Sequence, residues 1–294
     1  MNVSLNQNEI SEASLLIAIE KFVLTSLDTT KQPRSFYETF TDLLLDFDQV
    51  YNPDFSYTCL IDLFCSLLHD YDLEYETSSS LYNRLKRRTF KDWQAYFNRA
   101  KADHLNELRQ HRYNETLNAA KLDKRLEEIL ESYSAVLVVR VDLAYVVSPD
   151  IEQVDNDLEI LRRKIKRSEY GRDILLLVWA LEQGEKKGYH CHIALIFNER
   201  KRTSAWSIAK AVGELWEEVT GDDGSYFNCH DLRYLKQYEE QDTLGVGIIY
   251  SEVDYQVRKM CSTLSYLARP KKEQYLRVKT TRKRRTFGMS QTHS

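Results

Sequence analysis

Apolar residues in the first part of the chain recur at helical spacing. Leu15, Leu16, Ala18, Ile19, Phe22, Val23 and Leu27 make one stripe of 3.6-residue period. Tyr37, Phe40, Leu43, Leu44 and Phe47 make a second, and Cys59, Leu60, Leu63, Phe64, Leu67 and Leu68 a third. Thr77, Ser78, Ser79 and Ser80 interrupt the pattern, and Ser79 or Ser80 is suited to cap the helix that follows. From Lys91 to Glu131 there is neither Gly nor Pro and charge is dense, which predicts one or two long helices. Residues 1–131 therefore read as a helical N-terminal domain.

From residue 132 the period changes. Ala135 to Leu143 is short and β-branched, the signature of a buried strand. A helix is expected from Ile151 to Ser168, with Leu158, Ile160, Leu161 and Ile165 inward and Gly171 beyond its end. Ile174 to Leu181 and Tyr189 to Phe197 read as strands, and the polar turn Gly184–Gly188 makes them an antiparallel hairpin. Ser204 to Val219 is a helix. Weaker strands are expected near Phe227–Tyr234 and Val246–Tyr250, and a last helix from about Glu252 to Leu267. The order β-α-β-β-α-β with a closing helix predicts an α+β domain over 132–294, an antiparallel sheet flanked by helices.

Composition narrows the class. With 43% hydrophobic residues and only 9 Gly and 4 Pro in 294, the chain can bury a real core. The net charge of −4 alone points to no nucleic-acid partner, but charge is unevenly spread. Asp42, Asp46, Asp48, Asp54, Asp62, Asp70, Asp72, Glu74 and Glu76 crowd the first part; Arg277, Lys279, Arg282, Lys283, Arg284 and Arg285 crowd the end. Five cysteines without a CxxC pair fit free thiols in a reducing compartment. No apolar run is long enough for a membrane span, so no membrane partner and a cytoplasmic location are expected.

The sharpest chemical feature is His190-Cys191-His192 on the third strand. Alternation puts both imidazoles on one face, where they can converge on one divalent cation, while Cys191 faces the other way as a small hydrophobe. Glu182, just before the hairpin turn, can supply a carboxylate. That mixed set suits Mg²⁺ or Mn²⁺, and Zn²⁺ would also accept it. A pair of core or surface histidines and a solvated turn glutamate are the plain alternatives. On the last helix Tyr255, Lys259, Ser262 and Tyr266 share one face beside the apolar stripe of Val253, Val257, Met260, Leu264 and Leu267. A tyrosine there could attack a phosphodiester, although packing is the commoner use of a tyrosine.

These pieces together resemble a known family. The second half, from about residue 133, is similar to the HUH endonucleases, and more closely to inovirus-type replication proteins with a YagK/YfjJ-like C-terminal domain. The resemblance rests on Val139-Arg-Val-Asp-Leu143, Val178-Trp-Ala-Leu-Glu182, Lys187-Gly-Tyr-His-Cys-His192, Ser265-Tyr-Leu-Ala-Arg269 and Arg285-Thr-Phe-Gly-Met-Ser290. It implies metal coordination by His190, His192 and Glu182 and attack on single-stranded DNA by Tyr266, with Tyr255 in reserve. The chain departs from the family pattern in carrying Arg269 where Lys is usual, and Arg is a different donor. The expected activity is nicking of a rolling-circle replication origin, with host helicase and polymerase as further partners. Lys259, Arg269, Lys271, Lys272, Arg282, Lys283, Arg284 and Arg285 are the expected DNA contacts, with Tyr275 and Phe287 nearby for stacking. Two other readings stand beside it: a phage or mobile-element DNA-binding protein that no longer cuts, and a zinc hydrolase that uses water. The helical first part shows no chemical motif.

Overall fold

A computed structural model describes residues 11–71, 73 and 76–290; Asp72 and Glu74 of the acidic run lie outside them. Six helices come first: α1 (Glu12–Asp28), α2 (Phe36–Val50), α3 (Cys59–Asp70), α4 (Ser78–Leu85), α5 (Phe90–Asn98) and α6 (Lys101–Ser132). Between α2 and α3 lies a short strand, β1 (Ser56–Tyr57). Then follow β2 (Ala135–Tyr145), α7 (Ile151–Arg167), β3 (Ile174–Gly184), β4 (Gly188–Asn198), α8 (Ala205–Val219) and β5 (Gly224–Asn228). The chain ends with α9 (Leu232–Glu240), β6 (Gly247–Tyr250), α10 (Asp254–Ala268), β7 (Val278–Lys279) and β8 (Phe287–Met289). The class is the expected one, a helical region followed by an antiparallel sheet with helices. Among the described residues no helix is long and apolar enough to cross a membrane.

Local chemistry sets the helix starts. Thr89 and Asp92 form a reciprocal capping box on α5, and Asp150 accepts the Gln153 amide at 2.8 Å to start α7. The α4 cap is Thr77, whose hydroxyl accepts the Ser80 amide at 3.1 Å, and not Ser79 or Ser80, which already lie inside the helix. On α7 the buried stripe is Val154, Leu158, Leu161 and Ile165. Ile160, expected inward, is 37% exposed because two residues from Leu158 is half a turn away.

The main sheet has the order β5-β2-β4-β3-β8, with β6 sharing the β5 edge of β2, and all its pairings are antiparallel. Its two faces follow residue parity. Odd positions (Val139, Val141, Leu181, Cys191, Ile193, Leu195) join the cores of α7, α8 and the N-terminal helices in one apolar cluster. That cluster continues into the aromatic packing of Phe36, Phe40, Phe64, Trp93 and Phe97. Even positions (Val136, Val138, Leu176, Val178, Ala194, Ile196) face α6 and α10 and pack on Met260, Leu264 and Leu267.

Three elements depart from expectation. The strand placed near Phe227–Tyr234 ends at Asn228, and α9 begins four residues later. Helix α9 has no buried residue, so no apolar stripe marks it in sequence. Strands β7 and β8 arise in the basic tail, where β7 pairs with β1 and β8 adds an edge to β3. Pairing with distant partners, not local alternation, makes these short segments extended.

Helix α1 grips the β3–β4 hairpin. The buried Glu12 carboxylate accepts the Tyr189 hydroxyl at 2.6 Å and the Ile151 amide at 3.0 Å. Gln183 donates to the Ala13 carbonyl at 2.7 Å and accepts the Arg277 amide at 2.8 Å, and Arg277 pairs with Glu20 at 2.8 Å. Burial pushes the Glu12 carboxyl up to about 7, against the lowering effect of its two hydrogen bonds. Between the ordinary carboxyl value and about 7 the folded chain therefore binds a proton that the unfolded chain has lost. Stability from this group is present at low pH and is lost as pH rises through that window, by ~3 kcal/mol in all. Glu12→Gln keeps an acceptor without the charge. Thermal unfolding should show the variant more stable than wild type at pH 8 and equal or weaker at pH 5. A parallel loss of stability in both proteins from pH 5 to pH 8 would show that Glu12 titrates normally.

Candidate metal and nucleophile site

The even face of the sheet is apolar at one end and ionisable at the other. Along β2 the sequence runs Val136, Val138, Arg140, Asp142; along β3, Val178, Ala180, Glu182; along β4, Ile196, Ala194, His192, His190. Strand register brings the polar ends together. Glu182 lies directly opposite His190, while His192 lies opposite Asp142 on one side and Ala180 on the other. Gly188 enters β4 with φ +61, in a place where a Cβ would meet the Ser148 side chain at 2.3 Å. The Ser148 hydroxyl there accepts the Tyr189 amide at 3.0 Å, which fixes the start of the strand.

Both imidazoles are held by Nδ1 and present Nε2 inward. His190 Nδ1 sits 3.2 Å from the Gly188 carbonyl, and His192 Nδ1 sits 2.7 Å from Asp142 Oδ1. Their Nε2 atoms lie 3.4 and 3.5 Å from Glu182 Oε2. Those contacts are longer than the roughly 2.7–3.2 Å of an N–H···O hydrogen bond. Glu182, 0% exposed, thus has charged company but, among the described residues, no hydrogen-bond donor on either oxygen, and His192 Nε2 likewise finds no partner among them. A buried carboxylate in that condition costs several kcal/mol unless something compensates it. Donors ~2.1 Å from a shared cation lie ~3.0–3.4 Å apart; the two contacts to Glu182 are close to that spacing, and all three donor atoms lie within 4.8 Å of one another. An acceptor behind each ring is also the arrangement that orients histidine ligands.

Groups of the site also shift one another's protonation. Burial would raise the Glu182 carboxyl, but His190 and His192 outweigh it and hold it at about 2. Burial would lower the His192 imidazole, but Asp142 first and Glu182 second carry it up to about 9. Burial would raise Asp142 too; His192 and the Arg140 guanidinium, 3.0 Å away, hold it well below the usual range. The Arg140 amide donates to His230 Nε2 at 3.0 Å, and burial keeps His230 neutral by pushing it down to about 4.

Tyr266 opens onto the same cleft, of about 840 Å³, with Arg140, Asp142, His190, His192, Lys186 and Lys187 on its walls. Its ring centroid is 6.1 Å from that of His192 and 5.8 Å from the Arg140 guanidinium carbon. Burial, then the Glu182 charge, pushes its phenol above the ordinary value, and a weak 3.4 Å hydrogen bond to Gln274 acts the other way. Tyr255 is three turns away along α10, 53% exposed, under the Lys259 ammonium and off the cleft. Lys259 is paired with Asp242, and Arg269 is exposed beyond the helix end.

The basic tail is less free than its sequence suggests. Arg277 is buried against Glu20, and Arg284 pairs with Asp155 at 2.8 Å. Tyr275 stacks on His111 at 4.2 Å and Phe287 packs against the even-face core, so neither offers a free ring. Lys271, Lys272, Arg282, Lys283 and Arg285 remain exposed. Arg282, Lys283 and Arg285 line a second cleft with Lys121 of α6. Sequence reasoning missed Arg140, Asp142 and His230 as supports of the site. The alternation of polar residues in Arg140-Val141-Asp142 was the available signal; for His230 there was none. In a second donor cluster, Cys59, His104 and Glu107, the carboxylate is already engaged: Glu107 accepts both the Cys59 amide at 2.9 Å and its thiol at 3.1 Å.

Mn²⁺ should raise the melting temperature of the wild-type protein and leave Glu182→Gln and His192→Ala unmoved. Asp142→Asn, which keeps all three donors, should weaken Mn²⁺ binding by about 10- to 100-fold in a calorimetric titration. Unchanged affinity in Asp142→Asn would remove it from the support of His192.

The family model described as the YagK/YfjJ C-terminal domain matches residues 98–290, from the end of α5 through β8. No curated protein and no solved structure matches the chain. With about two thirds of its length inside that match, the chain belongs to the YagK/YfjJ C-terminal domain family.

Proposed function

We propose that this chain is an HUH-type endonuclease that nicks single-stranded DNA at a rolling-circle origin, as inovirus-type replication proteins do, with Tyr266 as nucleophile. The observation that carries the reading is the opening of Tyr266 onto the cleft lined by His190 and His192, whose Nε2 atoms lie 3.4 and 3.5 Å from the buried Glu182 carboxylate behind them. Attack by Tyr266 Oη forms an O–P bond and breaks the bond from phosphorus to the 3′-oxygen. The phenol gives up one proton and the departing 3′-oxygen takes one, leaving a 5′-phosphotyrosyl link and a free 3′-hydroxyl. Because one phosphodiester replaces another, the reverse reaction can rejoin the strand.

His190, His192 and Glu182 would hold Mg²⁺ or Mn²⁺, which supplies charge against a phosphate oxygen and offsets the Glu182 charge beside the phenol. Asp142 keeps His192 turned with Nε2 inward. Arg140, fixed by Asp142 and charged at any working pH, stands over the Tyr266 ring where it can contact the phosphate. Lys186 and Lys187 at the hairpin tip extend that positive wall. In this reading they take the phosphate role that sequence spacing gives to Lys259 and Arg269.

Incubation with labelled single-stranded DNA and Mn²⁺ should give a covalent band on a denaturing gel. Tyr266→Phe should lower it to below about 1% of wild type, and Tyr255→Phe should leave it. Loss in Tyr255→Phe alone would transfer the nucleophile to that residue. Cleavage without an adduct would favour the water-using hydrolase, and binding without cleavage the non-cutting protein.

A further inference from the structure

Helix α9 turns a half-buried aromatic face toward the cleft. The helix buries none of its residues, yet Tyr234 and Tyr238, one turn apart, line the same cleft as His192 and Tyr266. Their ring centroids are 4.2 Å apart, and Tyr234 meets Phe227 of β5 edge-on at 5.1 Å. Phe227 is 45% exposed and also lines the cleft. Sheet register fixes where this wall stands. Phe227 pairs with Asp142, Asp142 with His192 and His192 with Ala180, so the four make one row across adjacent strands. Cross-strand partners point to the same face, which puts Phe227 two strands, about 10 Å, from His192.

We infer that Phe227, Tyr234 and Tyr238 form a stacking wall for unpaired bases flanking the bond to be cut. The inference rests on the strand-nicking reading and names how that site holds its substrate. At ~3.4 Å per stacked nucleotide the wall lies within about three nucleotides of the metal donors. Lys186 and Lys187 border the same cleft and suit the phosphates of a strand whose bases turn toward the rings. A cleft of about 840 Å³ is near the top of the ~300–1,000 Å³ range of small-ligand sites, so it has room for more than one base. Stacking on aromatic faces tolerates any base, so this wall supplies affinity for single strands and little sequence preference.

The test is binding of the full chain, in chelator so that nothing is cut, to two labelled oligonucleotides of equal length. One carries bases and the other is abasic through its central positions. Wild type should prefer the first. Phe227→Ala and Tyr238→Ala should each weaken that binding by about 10-fold, leave abasic binding unchanged, and so erase the preference; Phe227→Tyr should restore it. If the variants keep the wild-type preference, the stacking wall is overturned while the nicking reading stands. Equal losses for both oligonucleotides would overturn it as well, since a fold defect or a phosphate contact would then be responsible. If wild type binds neither, the strand-binding reading itself falls.

Discussion

Antiparallel register is the constraint on which the rest depends. In the β3–β4 hairpin Glu182 is locked opposite His190, and in the β2–β4 pair Asp142 is locked opposite His192. A slip of one residue would turn His190 and His192 into the odd-face core and bring Cys191 and Tyr189 into the cleft. The apolar halves of the same strands prevent that slip. Ala194 and Ile196 must join Met260 and Leu264 on one face, while Ile193 and Leu195 join the cluster of α7, α8 and the N-terminal helices on the other. The hydrophobic core thus holds the polar cluster in place, although the two share no chemistry.

The cluster carries a local electrostatic debt. Two imidazoles and a carboxylate are buried together with mutual contacts too long for hydrogen bonds, and the nearby Arg140 guanidinium is engaged by Asp142. Folding around such a group is favourable only if the surrounding core over-determines it, and β2, β3 and β4 are the most deeply buried strands of the sheet.

Much of this was legible in the sequence, and the reasons differ by element. The stripes of α1, α2 and α3 and the runs of β2, β3 and β4 were readable because each buries a face with its own period. His190, His192 and Glu182 were readable together because a tight hairpin converts sequence distance into spatial distance. Helix α9 was not readable, since it buries nothing, and β7 and β8 were not, since distant strands impose their conformation. The roles of Arg277 and Arg284 were hidden for a related reason: a run of cations shows charge but not the Glu20 and Asp155 that absorb it.

The grip of α1 on the hairpin has a bearing on modularity. Gln183 and Tyr189 are immediate neighbours of Glu182 and His190, and their polar ends are satisfied by Ala13 and Glu12, far outside the segment that defines the family. A YagK/YfjJ C-terminal domain transplanted from this chain would leave a buried amide and a buried phenol facing vacant space beside its own donors. The matched segment and the unit of folding are therefore different lengths of this polypeptide, and any other N-terminal region joined to this hairpin must bring its own pair of acceptors.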